Sequence, residues 1–268
     1  MHGSERSVHS LLDLTGKIAV LTGAAGWLGS AMSRALAEAG ARLVVTSRDA
    51  TQAEAFAASL PGAGHLGLAF SQGDTDSIPA FVAEVVQRMG AIDILVNNAY
   101  GGPPADIDNA TADDFDQAYH VGVTAYFLLA RDIALHLRER GVGGSIINIG
   151  SMYGVVASYP EAYAGLGVNS PPNYHGLKGG LVHLTRHLAV YWARDNIRVN
   201  CISPGPFPKM PFIDEAHPGF IQRLEEKVPL GRMGKPEELK GLVLLLASEA
   251  GSYITGQNIL VDGGWTAW

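Results

Sequence analysis

The sequence predicts an α/β protein folded as one doubly wound domain, a seven-stranded parallel sheet with helices on both faces. Three observations predict it. Short apolar runs without alternation recur along the chain, as expected for strands buried on both faces of a parallel sheet. Amphipathic stretches of helical length separate these runs, so that each strand is followed by a crossover. The composition is even, with 47% hydrophobic and 17% charged residues and 33 glycines in 268, which fits one core with many tight turns.

Residues 1 to 13 carry Ser, His, Glu and Arg without periodicity and read as a loose leader, leaving 14–268 for the domain. Lys17 to Leu21 is the first strand. It breaks into TGAAGWLG, residues 22 to 29, and continues as an amphipathic helix that stops at Gly40. Leu43 to Thr46 is the second strand, and the crossover between the two should be right-handed. A helix from Gln52 to Leu60 leads to the third strand, His65 to Phe70. Asp74 reads as the N-cap of a helix running to Met89, and Ile92 to Val96 is a fourth strand ending in Asn97, Asn98 and Ala99. Thr111 to Asp116 begins a helical region that reaches to about Arg140. Ser145 to Ile149 is the fifth strand, Tyr174 to Arg194 a helix, and Arg198 to Ile202 the sixth strand. A loop rich in Pro and Gly, a helix over residues 236–248 and a seventh strand, Ile259 to Asp262, complete the pattern.

The bulk numbers exclude several function classes. A formal charge of -7 with 19 scattered basic residues argues against nucleic acid, which needs clustered Lys and Arg. No run of about 18 apolar residues offers a membrane span, and Met1 to Ser10 is too polar for a signal peptide. A lone Cys201 in an apolar run reads as a buried small hydrophobe in a reducing, cytoplasmic protein.

Two stretches carry chemistry. In such a sheet, ligands bind beyond the carboxyl ends of the strands, where strand order reverses. There Gly23, Gly26 and Gly29 let the backbone turn tightly and approach a pyrophosphate, held at the N-terminus of the next helix. At the end of the second strand stand Thr46, Ser47 and Arg48, with no carboxylate for a ribose 2′-hydroxyl. The available guanidinium suits a 2′-phosphate, so NADP(H) is expected over NAD(H), which stays possible. The second stretch runs from Ser145 to Lys178. Tyr174 and Lys178 are four apart on a helix and share a face, so that the ammonium can stabilise a phenolate and lower the tyrosine's pKa. Ser151, at the fifth strand's end, can hold the oxygen that gains or loses the proton.

With these motifs the chain resembles the short-chain dehydrogenase/reductase family, in its branch of one Rossmann-type domain. The likeness runs from Lys17 to Trp265 and includes TGAAGWLG, the NNA at 97 to 99, Ser151, Tyr174-x-x-x-Lys178, the SPG at 203 to 205, PLGRMGKPEE at 229 to 238 and SYITGQNILVDGG at 252 to 264. The resemblance implies that Tyr174 is the general acid/base, that Lys178 lowers its pKa and holds the nicotinamide ribose, and that Ser151 positions the carbonyl or alcohol oxygen. It also implies cofactor contacts from Thr22, Trp27, Leu28, Asn98, Ala99, Pro204, Gly205 and Phe207.

Four departures from the family pattern matter. Trp27 stands where the middle glycine usually lies; this aromatic resembles the halohydrin dehalogenases, but Lys178 and Gly23 argue against a lyase of that kind. Gly122 replaces an Asn that usually holds a relay water, and Ser71 replaces the aspartate that meets adenine. The link between Ser151 and Tyr174 is long, and the extra residues, 155–172, read as a substrate wall at the site's rim. Tyr153, Tyr159, Tyr163, Phe207 and Phe212 are the expected substrate contacts, the last two from a lid over residues 206–228.

His183 and His187 have metal-pair spacing but no third ligand, and no metal is expected. The tail with Trp265 and Trp268 is apolar enough to be buried against a sister subunit, and the family implies a homotetramer. The expected function is interconversion of a ketone and a secondary alcohol on a small sugar-, polyol- or hydroxy-acid-like substrate. A cofactor-binding module with little catalysis and a halohydrin-dehalogenase-like lyase are the alternative functions, and a hydrophobic ketone or a 3-oxoacyl thioester the alternative substrate.

Overall fold

Seven parallel strands form one sheet in the order β3-β2-β1-β4-β5-β6-β7. They are β1 (Ile18–Leu21), β2 (Arg42–Ser47), β3 (Leu66–Ala69), β4 (Ile94–Asn97), β5 (Gly144–Ile149), β6 (Ile197–Pro204) and β7 (Asn258–Val261). The structure is a computed structural model and describes residues 5–102, 105–166, 169–209 and 217–268; Phe212 lies outside them. Each expected strand is present within a few residues. The sixth runs further than its apolar stretch, because Ser203 and Pro204 still pair with Leu260 and Val261.

The helices are α1 (Val8–Leu12), α2 (Trp27–Glu38), α3 (Ala50–Ala58), α4 (Ile78–Met89), α5 (Ala112–Tyr119), α6 (Ala125–Glu139), α7 (Pro172–Trp192), α8 (Phe220–Glu225) and α9 (Lys240–Ala247). One core lies between the sheet and α4, α6 and α7, with Val82, Val85, Leu129, Ile133, Leu188 and Trp192. A second lies on the opposite face, where Met32 and Leu36 of α2 and Val243 and Leu246 of α9 pack. Each such side chain contributes roughly 1.5–3 kcal/mol. Among the described residues no helix is long and apolar enough to cross a membrane.

Two expectations are corrected. The leader is not uniformly loose: Ser7 caps α1, accepting from the Ser10 N–H, and Leu14 behind it is buried. Asp74 precedes a 3₁₀ turn over Thr75–Ser77 and makes no side-chain cap, so α4 starts later, at Ile78. The region after Thr111 is helical without interruption to Glu139, as expected. Thr111 and Asp114 close a capping box at the start of α5, and a π turn over His120–Thr124 joins α5 to α6 within the helical run. The π turn inserts one residue opposite the site, an arrangement common where a helix borders chemistry.

Candidate active site at the carboxyl ends of the strands

Strand order reverses between β1 and β4, and a cleft of about 560 Å³ opens there. Gly23 to Gly29 line it together with Thr46, Ser47 and Arg48 after β2, Phe70 to Gly73 after β3, and Asn98 to Gly101 after β4. Gly23 takes φ +62, a conformation that favours glycine, and a Cβ on Gly29 would fall 2.3 Å from the Gly23 carbonyl oxygen. Gly26 caps α2 without a side chain, leaving the first N–H groups of that helix open to an anion.

Thr22 and Asn98 brace this loop. Thr22 Oγ1 accepts from the N–H groups of Asn98 and Ala99, each at 3.0 Å, and Asn98 Nδ2 donates to the carbonyls of Thr22 and Gly23. Thr22 is itself buried and outside the cleft lining, so its part in cofactor contact is indirect. Arg48 is exposed at the cleft's mouth. Its neighbour Asp49 accepts from the Gln52 N–H to cap α3 and does not line the cleft. Trp27 Nε1 donates to the Phe207 carbonyl at 3.0 Å, tying the glycine loop to the chain after β6. The Phe207 ring packs on Gly234 beside a smaller hollow, so the expected reach of that ring toward substrate is not what the fold gives it. Pro204 ends β6, and Gly205 donates its N–H to the Val261 carbonyl, packed too closely on Asp262 to carry a Cβ.

The proton-transfer trio is brought together. Ser151 follows β5 in extended backbone and accepts from the Tyr153 N–H, and Tyr174 and Lys178 lie one turn apart on α7. Burial raises the Tyr174 phenol above its ordinary value; the Ser151 hydrogen bond eases it and the nearby Tyr163 raises it further. Lys178 stands close to that ring. Its Nζ lies over the Tyr174 ring, 5.5 Å from the centroid, and donates to the Ile149 carbonyl at 2.7 Å. Burial brings Lys178 down to about 8.

The long link after Ser151 folds over the same end. Tyr153 and Tyr163 meet hydroxyl to hydroxyl at 3.2 Å, and His175 stacks on Tyr153 at 4.5 Å. Tyr159 packs on Trp265 at 5.3 Å, and Arg223 of α8 donates to the Ala162 carbonyl. Asn169 donates to Asp106 across the rim. Ala162, Ile221, Leu224, Val228 and Trp265 share a buried cluster, so residues 217–228 and the inserted segment pack as one wall. Trp265 is 2% exposed within its own chain, which corrects the expectation of a sister subunit around it; Trp268 is 72% exposed. Among the described residues no cluster of His, Cys, Asp and Glu could hold a metal.

Three residues near the trio had no sequence signal of their own. Tyr100 lines the cleft and meets Tyr174 edge to face, with ring centroids 5.4 Å apart. Gln72 donates to the carbonyls of Ala99 and Val121, holding the π turn against β4's end. Tyr126, on α6, is 1% exposed and lies 5.9 Å from the Lys178 ammonium. Gly122 was the one hint: it marks a place without a side chain, and Tyr100 and Leu177 fill it.

Comparison with known proteins follows the same lines. A family model described as enoyl-(acyl carrier protein) reductase matches residues 23–266. The NADP-dependent mannitol dehydrogenase of Hypocrea jecorina is 34% identical over 96% of this chain and 94% of its own length. A short-chain type dehydrogenase/reductase from Mycobacterium marinum superposes with a TM-score of 0.85 at 34% identity, covering 98% of this chain and 100% of that one. A gluconate 5-dehydrogenase from Burkholderia cenocepacia, in complex with NADP and tartrate, gives a TM-score of 0.86 at 32% identity, covering 98% and 100%.

Proposed function

The chain belongs to the short-chain dehydrogenase/reductase family, and we propose that it interconverts a ketone and a secondary alcohol on a small sugar-, polyol- or hydroxy-acid-like substrate. It is an NAD(P)-dependent oxidoreductase with a Rossmann-type fold, and NADP(H) is its preferred cofactor. The observation that carries the reading is the meeting of Ser151, Tyr174 and Lys178 beside a glycine-floored cleft at the strand ends. A polar substrate is supported by the paired hydroxyls of Tyr153 and Tyr163, and by relatives that act on mannitol and gluconate.

The residues present fit a dinucleotide phosphate. The loop from Gly23 to Gly29, with Leu28, and the open end of α2 would take the pyrophosphate. Ser47 and Arg48, with no carboxylate between them and the cleft, would take the 2′-phosphate. Asn98, Ala99, Tyr174 and Lys178 would hold the nicotinamide ribose side, and the backbone at Pro204 and Gly205 the carboxamide. When bound, the nicotinamide supplies or accepts the hydride. Ser151 then holds the substrate oxygen, and Tyr174 gives it a proton in reduction or removes one in oxidation. Because burial keeps the phenol protonated, Tyr174 stands ready as the acid, and the positive charge of Lys178 stabilises the phenolate left behind.

Residues 14–268 form the functional unit in this reading, with Tyr153, and Tyr159 and Tyr163 of the inserted segment, shaping the substrate's side, backed by Ile221, Leu224 and Val228. A homotetramer is supported by exposed apolar side chains at Val190 and Tyr191 on α7 and at Leu230, Tyr253 and Trp268. The buried, unpaired Cys201 suits a reducing cytoplasm.

The test is NADP+ reduction with D-mannitol, D-arabinitol, D-threitol and D-gluconate, set against cyclohexanol and a 3-hydroxyacyl thioester. Turnover confined to the polar group, and lost in Tyr174→Phe, is expected. Binding of NADP+ without turnover of any alcohol, unchanged in Tyr174→Phe, would overturn the enzyme; preference for the apolar group would overturn the substrate class.

A further inference from the structure

Lys178 is 3% exposed, yet no carboxylate among the described residues pairs with it. The acidic group whose field reaches it is the Cys201 thiol of β6, which burial pushes up to about 11 and so keeps neutral. Apart from the Ile149 carbonyl that accepts from it, what surrounds the ammonium is aromatic. The ring centroids of Tyr100, Tyr126 and Tyr174 lie 5.4, 5.9 and 5.5 Å from Nζ. A buried cation with no counter-ion gains from the negative faces of such rings when they lie within roughly 6 Å. The three come from three places: the chain after β4, helix α6, and α7 itself.

Tyr100 reaches this position because two glycines frame its ring. A Cβ on Gly122, in the π turn, would stand 3.3 Å from the ring's Cε2, and a Cβ on Gly102 would stand 2.6 Å from its hydroxyl oxygen. One glycine makes room at the ring's edge and the other at its tip. The ring also meets Tyr174 edge to face.

We propose that Tyr100 is a positioning residue of the proton-transfer site: its ring is a wall of an aromatic cage that holds Lys178 charged, and through Lys178 it sets how readily Tyr174 ionises. This rests on the reading of Tyr174 as the acid/base. The other titratable groups turned toward the pair are Tyr126, Cys201, Tyr153 and Tyr163. Burial raises the phenols of Tyr100, Tyr126 and Tyr153, so these rings act on the lysine as neutral faces. A weaker cage lowers the lysine's pKa, and a lysine that is less often charged leaves the Tyr174 phenolate less stable.

The direct measurement needs neither substrate nor cofactor. The lysine side chains of the full chain are followed by ¹³C–¹⁵N NMR through a pH titration, with Lys178 assigned by its loss in Lys178→Met. Lys178 should titrate near 8 in the parent protein. In Tyr100→Phe, which keeps the ring, the midpoint should stay in place; in Tyr100→Leu it should fall by about half to one pH unit. Gly102→Ala, which drives the hydroxyl from its seat, should lower it in the same direction and serves if Tyr100→Leu does not fold. A midpoint that is unchanged or raised in the folded variant overturns the proposal. In alcohol oxidation, the ascending limb of kcat against pH should move upward in Tyr100→Leu and not in Tyr100→Phe. If Tyr174→Phe retains full turnover, the oxidoreductase reading fails, and the NMR midpoints still decide the cage on their own.

Discussion

Replacing Arg48 with Asp exchanges a guanidinium for a carboxylate at the mouth of a cleft that no acid lines among the described residues. A charge-assisted hydrogen bond contributes about 1.5–3 kcal/mol, so Arg48→Asp should weaken NADP(H) by about 10- to 100-fold, measured as Kd by fluorescence, with NAD(H) gaining. Tyr174→Phe removes the proton and leaves the ring. Its expected effect is a fall in kcat of about 100-fold or more with NADP(H) affinity nearly kept, since general acid/base catalysis contributes roughly 10²–10⁴. Both residues were legible in the sequence, because their positions follow from local geometry: the turn after a strand, and two places four apart on a helix. Tyr100 and Gln72 were not, since their contacts depend on how the ends of β3 and β4 meet the π turn. Nor did spacing reveal that Lys178 would donate to the carbonyl of Ile149, or that burial would raise the phenol.

The glycine loop and the start of α2 act as a unit. A Cβ at Gly29 would press on the Gly23 carbonyl oxygen and come 2.9 Å from Asn98 Nδ2, both part of the brace between β1 and β4. Gly29→Ala should therefore cost about 1–3 kcal/mol, seen as a loss of several degrees in Tm, and weaken NADP(H) binding. The strands were readable because burial on both faces gives apolar runs with no alternation. The π turn between α5 and α6 was not: the stripe continues through His120–Thr124, and the turn depends on what packs beside it. The inserted segment could be located by its length but not by its fold, which is fixed by Arg223, Trp265 and Asp106, all distant in sequence.

A buried lysine without a carboxylate partner also shapes the stability of the folded chain. Its folded value, about 8, lies below the 10.5 of a free lysine. Between those two the unfolded chain binds more protons, so stability attributable to this site rises with pH across that window. Below it the site costs about 3 kcal/mol. Urea unfolding should find Lys178→Met more stable than the parent by about that amount near pH 7, the gap narrowing to about 1 kcal/mol near pH 10; a gap that does not narrow would contradict the assignment. The layered architecture was legible as a pattern of periods, whereas the place of Trp265 inside its own chain needed the third buried cluster to be seen. That cluster bears on redesign. Residues 155–172 look like a cassette that could be exchanged between relatives to alter substrate range, but three anchors outside the segment hold it, and each lies on a different part of the chain. A graft limited to the loop would arrive without its footing; one that carries Asp106, Arg223 and Trp265 with it would transplant the pocket's wall intact.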